Sequence, residues 1–296
     1  MRSSSERPRQ DGARPAAARA QLRFGFGLLA LPLLILMGAV FVLPVADTLR
    51  MSVWQDGGLT FAHYARALSD PIYARVLLVT LKIAGLTTVV CLLIGYPFAY
   101  LMAIVPEALR LALIAIVTLS FFISMLVKNY AWMVLLQDTG VINTFLINAG
   151  IVDSPIGLMY NLFGVTIAMV HALLPFMILP IYSVLSRLDV RLQQASRSLG
   201  AGGLRTFVEI TLPLSLPGVG AGLFLVFVVS LGFFITPALL GSPREMMLSN
   251  LIDNQIRVAL NWPFGSALAV ILFFVAGLGY AAYVRAFGAD QPWDRA

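Results

Sequence analysis

Six long stretches without Asp, Glu, Lys or Arg constrain this chain more than any other feature of its sequence. They cover residues 24–46, 83–106, 111–127, 154–186, 210–243 and 258–284, and the fourth contains His171. A helix that crosses a bilayer needs about 20 predominantly apolar residues. Strands of a membrane barrel are much shorter and alternate polar with apolar residues. The sequence therefore predicts an all-α polytopic membrane protein with six transmembrane helices.

The overall composition agrees with a lipid environment. Charged residues make up 11% of the 296 residues, whereas a soluble domain carries about a quarter. The first apolar stretch is too long for the hydrophobic region of a signal peptide, and no cleavage site of the A-x-A kind follows it. We expect a disordered cytoplasmic tail over 1–22, a transmembrane domain over 23–288 and a second cytoplasmic tail over 289–296.

The distribution of positive charge predicts the orientation. If the N-terminus is cytoplasmic, most of the 20 Lys and Arg residues fall on the inner side of the membrane, as the positive-inside rule requires. Both termini are then cytoplasmic in a multi-pass protein of the cytoplasmic (inner) membrane. The net charge of +6 reflects this topology. Nucleic acid is a poor candidate partner, because no basic stripe with interleaved aromatic residues occurs in a soluble domain.

The polar segment 187–213 lies between the fourth and fifth stretches, on the predicted cytoplasmic side. Leu188, Leu192, Ala195 and Leu199 recur at spacings of three and four, which indicates one apolar stripe on a helix. Gly200 suits a turn between two short helices, or a close approach by another backbone. An amphipathic helix that rests on lipid headgroups is the alternative interpretation.

The spacing within this segment is more specific. It resembles the signature loop of the membrane subunits of type I ABC importers, in which Glu-Ala-Ala is followed by three residues, Gly, nine residues, Ile, one residue and Leu-Pro. The matching positions here are Gln194, Ala195, Ser196, Gly200, Ile210, Leu212 and Pro213. Gln replaces Glu at 194, and Ser replaces the second Ala at 196. The resemblance implies a coupling loop over 187–213 that contacts an ATPase, with Arg197 as a further contact residue.

The resemblance covers the chain from near Phe24 to near Arg285. Segments such as "GYPFAYLMA", "VKNYAWMVLL" and "GFFITPALLGSPREMMLSNLIDNQI" look like the spermidine/putrescine-type permeases. Such a resemblance implies the type I ABC importer permease fold and half of a translocation path for a polyamine. It also implies a second homologous permease subunit, a cytoplasmic ATPase dimer and an extracytoplasmic substrate-binding protein. Similar permeases carry ferric iron, opines or aminophosphonates, so these solutes remain alternatives.

The sequence contains no recognisable catalytic or cofactor-binding motif. A P-loop needs Gly-Lys-[Ser/Thr], but Lys82 and Lys128 follow Leu and Val. Cys91 has no second cysteine with which to pair, and His63 and His171 have no metal-ligand spacing. We therefore expect a chain that is not an enzyme and has no cofactor or metal site.

Four residues are candidates for the substrate path. Tyr130 and Trp132 offer aromatic faces to a cation, and Asp138 and Asp253 offer carboxylates. Alternatively, the aromatic pair belongs to an interfacial belt and the carboxylates cap loops. Lys128 would repel a polycation if it lined the path, or it extends its ammonium group to the headgroups.

The fifth apolar stretch combines small residues with a possible break. Gly218, Gly220 and Gly222 would let helices approach closely, and Gly232 and Pro237 would interrupt the helix. Interrupted backbone at membrane depth needs cover by protein or a cavity, which a translocation path would satisfy. Two other classes remain: a membrane scaffold or receptor subunit, and an ion-coupled secondary transporter, which should show internal repeats and buried charges.

Overall fold

A computed structural model describes residues 32–55 and 58–287. The predicted tails 1–22 and 289–296 lie outside these residues. The chain divides into two compact units, Met1–Met51 and Ser52–Ala296. The described part of the first unit is helical and belongs to α1, Pro32–Val53, which contains a π-helical turn at Gly38–Val42.

Helix α1 extends beyond the first apolar stretch, which ends at residue 46. Asp47 and Arg50 lie in the added turns, and their side chains form an ion pair of 2.9 Å. Their spacing of three residues places both side chains on the same side of the helix. A charged pair of this kind is compatible with continued helix, so the end of the uncharged stretch does not mark the end of α1.

The described residues after α1 are almost entirely helical. A two-residue antiparallel ladder joins β1 (Trp54–Gln55) to β2 (Gly58–Leu59). The helices that follow are α2 (Ala62–Ser69), α3 (Pro71–Ile104), α4 (Glu107–Phe122), α5 (Met125–Leu136), α6 (Val141–Asn148), α7 (Leu162–Leu185), α8 (Val190–Ser198), α9 (Gly203–Leu231), α10 (Ile235–Leu240), α11 (Leu248–Asp253) and α12 (Trp262–Phe287). A 3₁₀ turn at Pro243–Glu245 precedes α11, and a π-helical turn at Asn254–Val258 follows it.

Five of the described helices are long and apolar enough to cross a membrane: α1, α3, α7, α9 and α12. The third predicted span, 111–127, is instead divided between α4 and the segment Met125–Asn148, which are bent by 99°. The expectation of six spans is met if this bent pair counts as one. The all-α fold is as predicted.

The bend follows from two non-helical residues. Ile123 is extended (φ −78°, ψ 125°), and Ser124, at the N-cap position of α5, has a non-helical ψ of 137°. Lys128 lies one turn into α5, and its ammonium donates to the Ser120 carbonyl at 2.5 Å and to Ser120 Oγ at 3.1 Å. A carbonyl in the last turn of a helix lacks an intrahelical partner. Lys128 therefore caps the C-terminal end of α4 across the bend.

Helices α3, α7 and α9 form the core of the second unit, and glycines bring them together. A Cβ on Gly218 would lie 2.9 Å from the Pro180 carbonyl oxygen, and one on Gly222 would lie 2.7 Å from Met177 Sδ. On α3, a Cβ on Gly95 would lie 2.9 Å from the Met177 side chain. The predicted close approach is confirmed: Gly218 and Gly222 approach α7, whereas a Cβ on Gly220 would lie 2.6 Å from the Phe287 ring of α12.

Helix α9 ends at Leu231, with Gly232 as its C-terminal cap, so the break occurs near the predicted glycine. The peptide groups that the break frees are hydrogen-bonded by α11. Ser249 Oγ donates to the Phe233 carbonyl at 2.5 Å, and Asn250 Nδ2 donates to the Phe234 carbonyl at 2.9 Å. These two carbonyls therefore have hydrogen-bond partners within the protein, as a membrane environment requires.

Candidate coupling loop and substrate path

The segment 187–213 forms two helical arms joined by a tight turn. Asp189 caps the first arm, α8, by accepting from the Arg191 amide at 2.9 Å. At its other end, the Gly200 amide donates to the Arg197 carbonyl at 3.0 Å, and the Ala201 amide donates to the Ser196 carbonyl at 3.1 Å. These two bonds define a Schellman motif. The segment therefore has the turn that one interpretation of Gly200 predicted.

Gly200 has a φ of +87°, a region that other residues seldom adopt. A Cβ at this position would meet no atom of the chain within 4 Å. The glycine is therefore required by its backbone conformation, and close packing within the chain plays no part. The turn projects away from the rest of the protein, so a side chain at 200 would extend toward whatever contacts this surface.

Of the predicted apolar stripe, Leu192, Ala195 and Leu199 are exposed, whereas Leu188, which precedes α8, is half-buried and packs against the core. Leu199 is 89% exposed, and Leu204 on the other side of the turn is 79% exposed. The buried side chain of α8 is instead Ser196, whose hydroxyl lies 3.1 Å from the buried Thr206 hydroxyl on α9. This hydrogen bond joins the two arms and leaves apolar side chains free at the tip of the turn.

The remaining motif residues lie along both arms. Gln194, Ala195 and Arg197 are exposed on α8, whereas Ile210 and Leu212 are half-buried on α9 and Pro213 is exposed. Pro213 has no amide hydrogen with which to continue the helical ladder. A π-helical turn at 207–211 precedes it.

The contacts that hold this loop against the membrane helices were not predicted from the sequence. Phe207 packs edge-on against Tyr100 and Tyr96 of α3, with ring centroids 5.2 and 6.0 Å apart. Two turns further along α9, the Ser215 and Tyr96 hydroxyls are 2.9 Å apart. Aromatic residues at 96, 100 and 207 follow no motif spacing, because their contact depends on the packing of α3 against α9.

Tyr130 and Trp132 lie two residues apart on α5, after the bend. Tyr130 is 64% exposed, and Trp132 is half-buried. The indole Nε1–H of Trp132 donates to Nδ1 of His171 on α7 at 3.1 Å. The aromatic pair is thus exposed in part, and one member is anchored to a neighbouring span.

The two carboxylates differ in their surroundings. Asp138 is exposed in the turn that connects α5 to α6. Asp253, at the end of α11, forms an ion pair of 2.7 Å with Arg257. A carboxylate that already has a cationic partner is less available to a substrate, so Asp138 is the stronger of the two candidates.

Lys128 lies on α5 next to these candidates, yet it neither reaches toward the headgroups nor lines an open surface. Its side chain is buried, with 8% exposure, and it caps α4 as described above. The neighbouring Asn129 is also buried and accepts from Thr236 Oγ1 of α10 at 2.9 Å. The base of α5 is therefore a polar joint between α4, α5 and α10.

Comparison with known proteins identifies the class of the chain. Residues 92–290 match the family model of the binding-protein-dependent transport system inner membrane component. The chain belongs to this family. The chain is also 39% identical to the spermidine/putrescine transport system permease protein PotB of Haemophilus influenzae over 228 residues, 77% of this chain and 79% of that protein. PotB of Escherichia coli is 38% identical over 227 residues, 77% of this chain and 82% of that protein.

Solved structures show the same fold. A bacterial ABC transporter involved in the import of the acidic polysaccharide alginate has a chain that superposes with a TM-score of 0.74, covering 90% of this chain and 98% of its own. A bacterial alginate ABC transporter in complex with an alginate pentasaccharide-bound periplasmic protein gives a TM-score of 0.76, covering 91% of this chain and 96% of its own. Both are 18% identical to this chain, so they establish the fold alone.

Family membership confirms several predictions. The resemblance to type I ABC importer permeases is correct, and the chain is a multi-pass inner-membrane component of such a transporter. A family of transport-system membrane components has no catalytic role in ATP hydrolysis, so the non-enzymatic assignment holds. An ion-coupled secondary transporter and a scaffold without a path are disfavoured. The domain bounds and the individual coupling and path residues remain predictions.

Proposed function

We propose that this chain is a permease subunit of an ATP-driven importer for polyamines such as spermidine and putrescine. The observation that carries the proposal is the 38–39% identity to PotB proteins over 77% of the chain. An alignment of this length covers both the 187–213 segment and helix α5 with its aromatic residues Tyr130 and Trp132. The exposed Asp138 and the aromatic side chains of α5 are chemically suited to a flexible cation.

In this proposal the chain pairs with a second homologous permease, and the two enclose one path. An extracytoplasmic binding protein delivers the substrate, and a cytoplasmic ATPase dimer drives alternating access. The loop at 187–213 transmits the motion of the ATPase to α9 through the motif residues, with Leu199 and Leu204 as apolar contacts at its tip. The anchoring of Phe207 against α3 connects the loop to the core helices.

The proposal is tested by purifying the complex from native membranes through a tag on this chain and reconstituting it in proteoliposomes. We expect saturable uptake of labelled spermidine or putrescine that depends on internal ATP and on the binding protein. Uptake of ferric iron, of an opine and of an aminophosphonate is measured in the same proteoliposomes. Transport of one of these solutes without polyamine transport would overturn the substrate assignment and leave the importer class intact.

A further inference from the structure

The span α7 carries one ionisable side chain that could titrate near neutral pH, His171. Most of α7 is buried, yet His171, about 14 Å along the helix from Leu162 at 1.5 Å per residue, is exposed. An ionisable residue inside a membrane span faces a bundle interior or a water-filled cavity far more often than lipid. The face of α7 that carries His171 therefore requires cover by protein or by the substrate path in the assembled importer.

The hydrogen bond to Trp132 restricts both rings. Indole Nε1 is a donor only, so Nδ1 of His171 must be the acceptor and the other ring nitrogen carries the proton in the neutral imidazole. The two rings are edge to face, with centroids 6.0 Å apart and an interplanar angle of 72°. The Nε1–H group lies in the plane of the indole, so this hydrogen bond does not occupy either face of the ring.

The cap at the bend determines where the nearby lysine charge lies. Lys128 is one turn before Trp132 on α5, but its ammonium is bonded to Ser120 at the C-terminal end of α4. The negative end of a helix dipole partly offsets a positive charge placed there. A substrate ammonium group that reaches Trp132 thus meets an aromatic ring and an imidazole, while the end of α4 partly offsets the lysine charge.

We infer that Trp132 and His171 form a contact site for an ammonium group of the substrate, in which His171 acts as a positioning residue for the indole. The inference rests on the proposed polyamine function and adds a residue to its path. Trp132 binds the cation through a face of its ring. Among the aromatic side chains, Trp is the strongest cation–π partner. His171 fixes the orientation of the ring, which is half-buried and packs in part against the core.

The test measures spermidine uptake kinetics in proteoliposomes that contain the complete complex and binding protein. Trp132→Leu removes the aromatic face and is expected to raise KM about five- to thirtyfold, with kcat little changed. Trp132→Phe keeps a face but loses the anchoring N–H, so an intermediate KM is expected. His171→Leu should raise KM to the value of Trp132→Phe, and the double variant should show no further increase.

Two more variants separate positioning from folding. His171→Gln keeps a hydrogen-bond acceptor and is expected to restore KM toward the wild-type value, which a general packing defect would not allow. His63→Leu makes the same chemical change in the other histidine, on α2, and should leave KM unchanged. Wild-type KM in Trp132→Leu, or equal defects in His171→Leu and His171→Gln, would overturn the inference. Absence of spermidine uptake by the wild-type complex would instead refute the proposed function.

Discussion

At the scale of single residues, the structure explains one departure of the loop from the family pattern. Ser196 stands where the pattern has Ala, and its hydroxyl is bonded to Thr206 across the loop. Both side chains are buried, so the pair contributes to the stability of the loop. The sequence alone could not reveal this pair, because nothing in the spacing of positions 196 and 206 indicates that α8 folds back on α9.

Ser196→Ala is expected to loosen the two arms. It leaves the buried Thr206 hydroxyl without its partner, a change that costs about 1–3 kcal/mol and corresponds to amide exchange about 5- to 150-fold faster in a locally opening segment. Hydrogen–deuterium exchange over residues 190–206 of the purified complex measures it. Ser198→Ala, which removes an exposed hydroxyl from the same helix, is the control. Equal exchange rates in the two variants would contradict the role of the pair.

The carboxylate at position 138 is expected to matter more than the one at 253. Asp138→Asn removes an exposed negative charge that attracts a polycation, so KM for spermidine should rise several-fold at low ionic strength. Asp253→Asn should have a smaller effect, because its carboxylate is paired with Arg257. Uptake by both variants is measured at equal membrane abundance. A larger defect in Asp253→Asn would exclude Asp138 as the principal attracting group.

At the scale of secondary-structure elements, apolar stretches predicted most of the spans, and the glycines of α9 predicted its close packing. The bend between α4 and α5 was not predicted, since Ile123 and Ser124 continue an uncharged stretch and carry no Gly or Pro. Its cap by Lys128 depends on a tertiary contact that hydropathy does not encode. The end of α9 was predicted from Gly232, but its hydrogen bonds to Ser249 and Asn250 were not.

The contact between α9 and α7 should be sensitive to a single methyl group. A Cβ at Gly218 would lie 2.9 Å from the Pro180 carbonyl oxygen and 3.1 Å from Ile181 Cα, and backbone atoms cannot easily move aside. Gly218→Ala is expected to destabilise the protein by about 1–3 kcal/mol, seen as a lower Tm of the purified complex. At Gly277 of α12, a Cβ would meet nothing within 4 Å. Gly277→Ala should therefore keep or raise the Tm, and an equal loss in both variants would refute the packing explanation.

At the scale of the whole molecule, the orientation in the membrane is a prediction from positive charge. The loop at 187–213 contacts a cytoplasmic ATPase only if it lies on the inner side, and the same topology places both termini inside. A C-terminal green fluorescent protein fusion should fluoresce, and a C-terminal alkaline phosphatase fusion should be inactive. Active phosphatase at the C-terminus would place this end outside and contradict the predicted topology.

The central claim is that the loop at 187–213 couples this permease to an ATPase, and Gly200→Trp tests it most directly. The site is open within the chain, so a bulky side chain there would displace the partner that contacts the turn. Gly200→Asn controls for the positive φ, which Asn tolerates better than most residues.

The measurement is the amount of copurified ATPase and the binding-protein-stimulated rate of ATP hydrolysis, both in purified complexes in lipid. For Gly200→Trp we predict normal membrane abundance with loss of stimulated hydrolysis or release of the ATPase, and for Gly200→Asn a milder loss. Normal stoichiometry together with normal stimulated hydrolysis in Gly200→Trp would contradict the coupling assignment and favour a helix that only rests on the membrane surface.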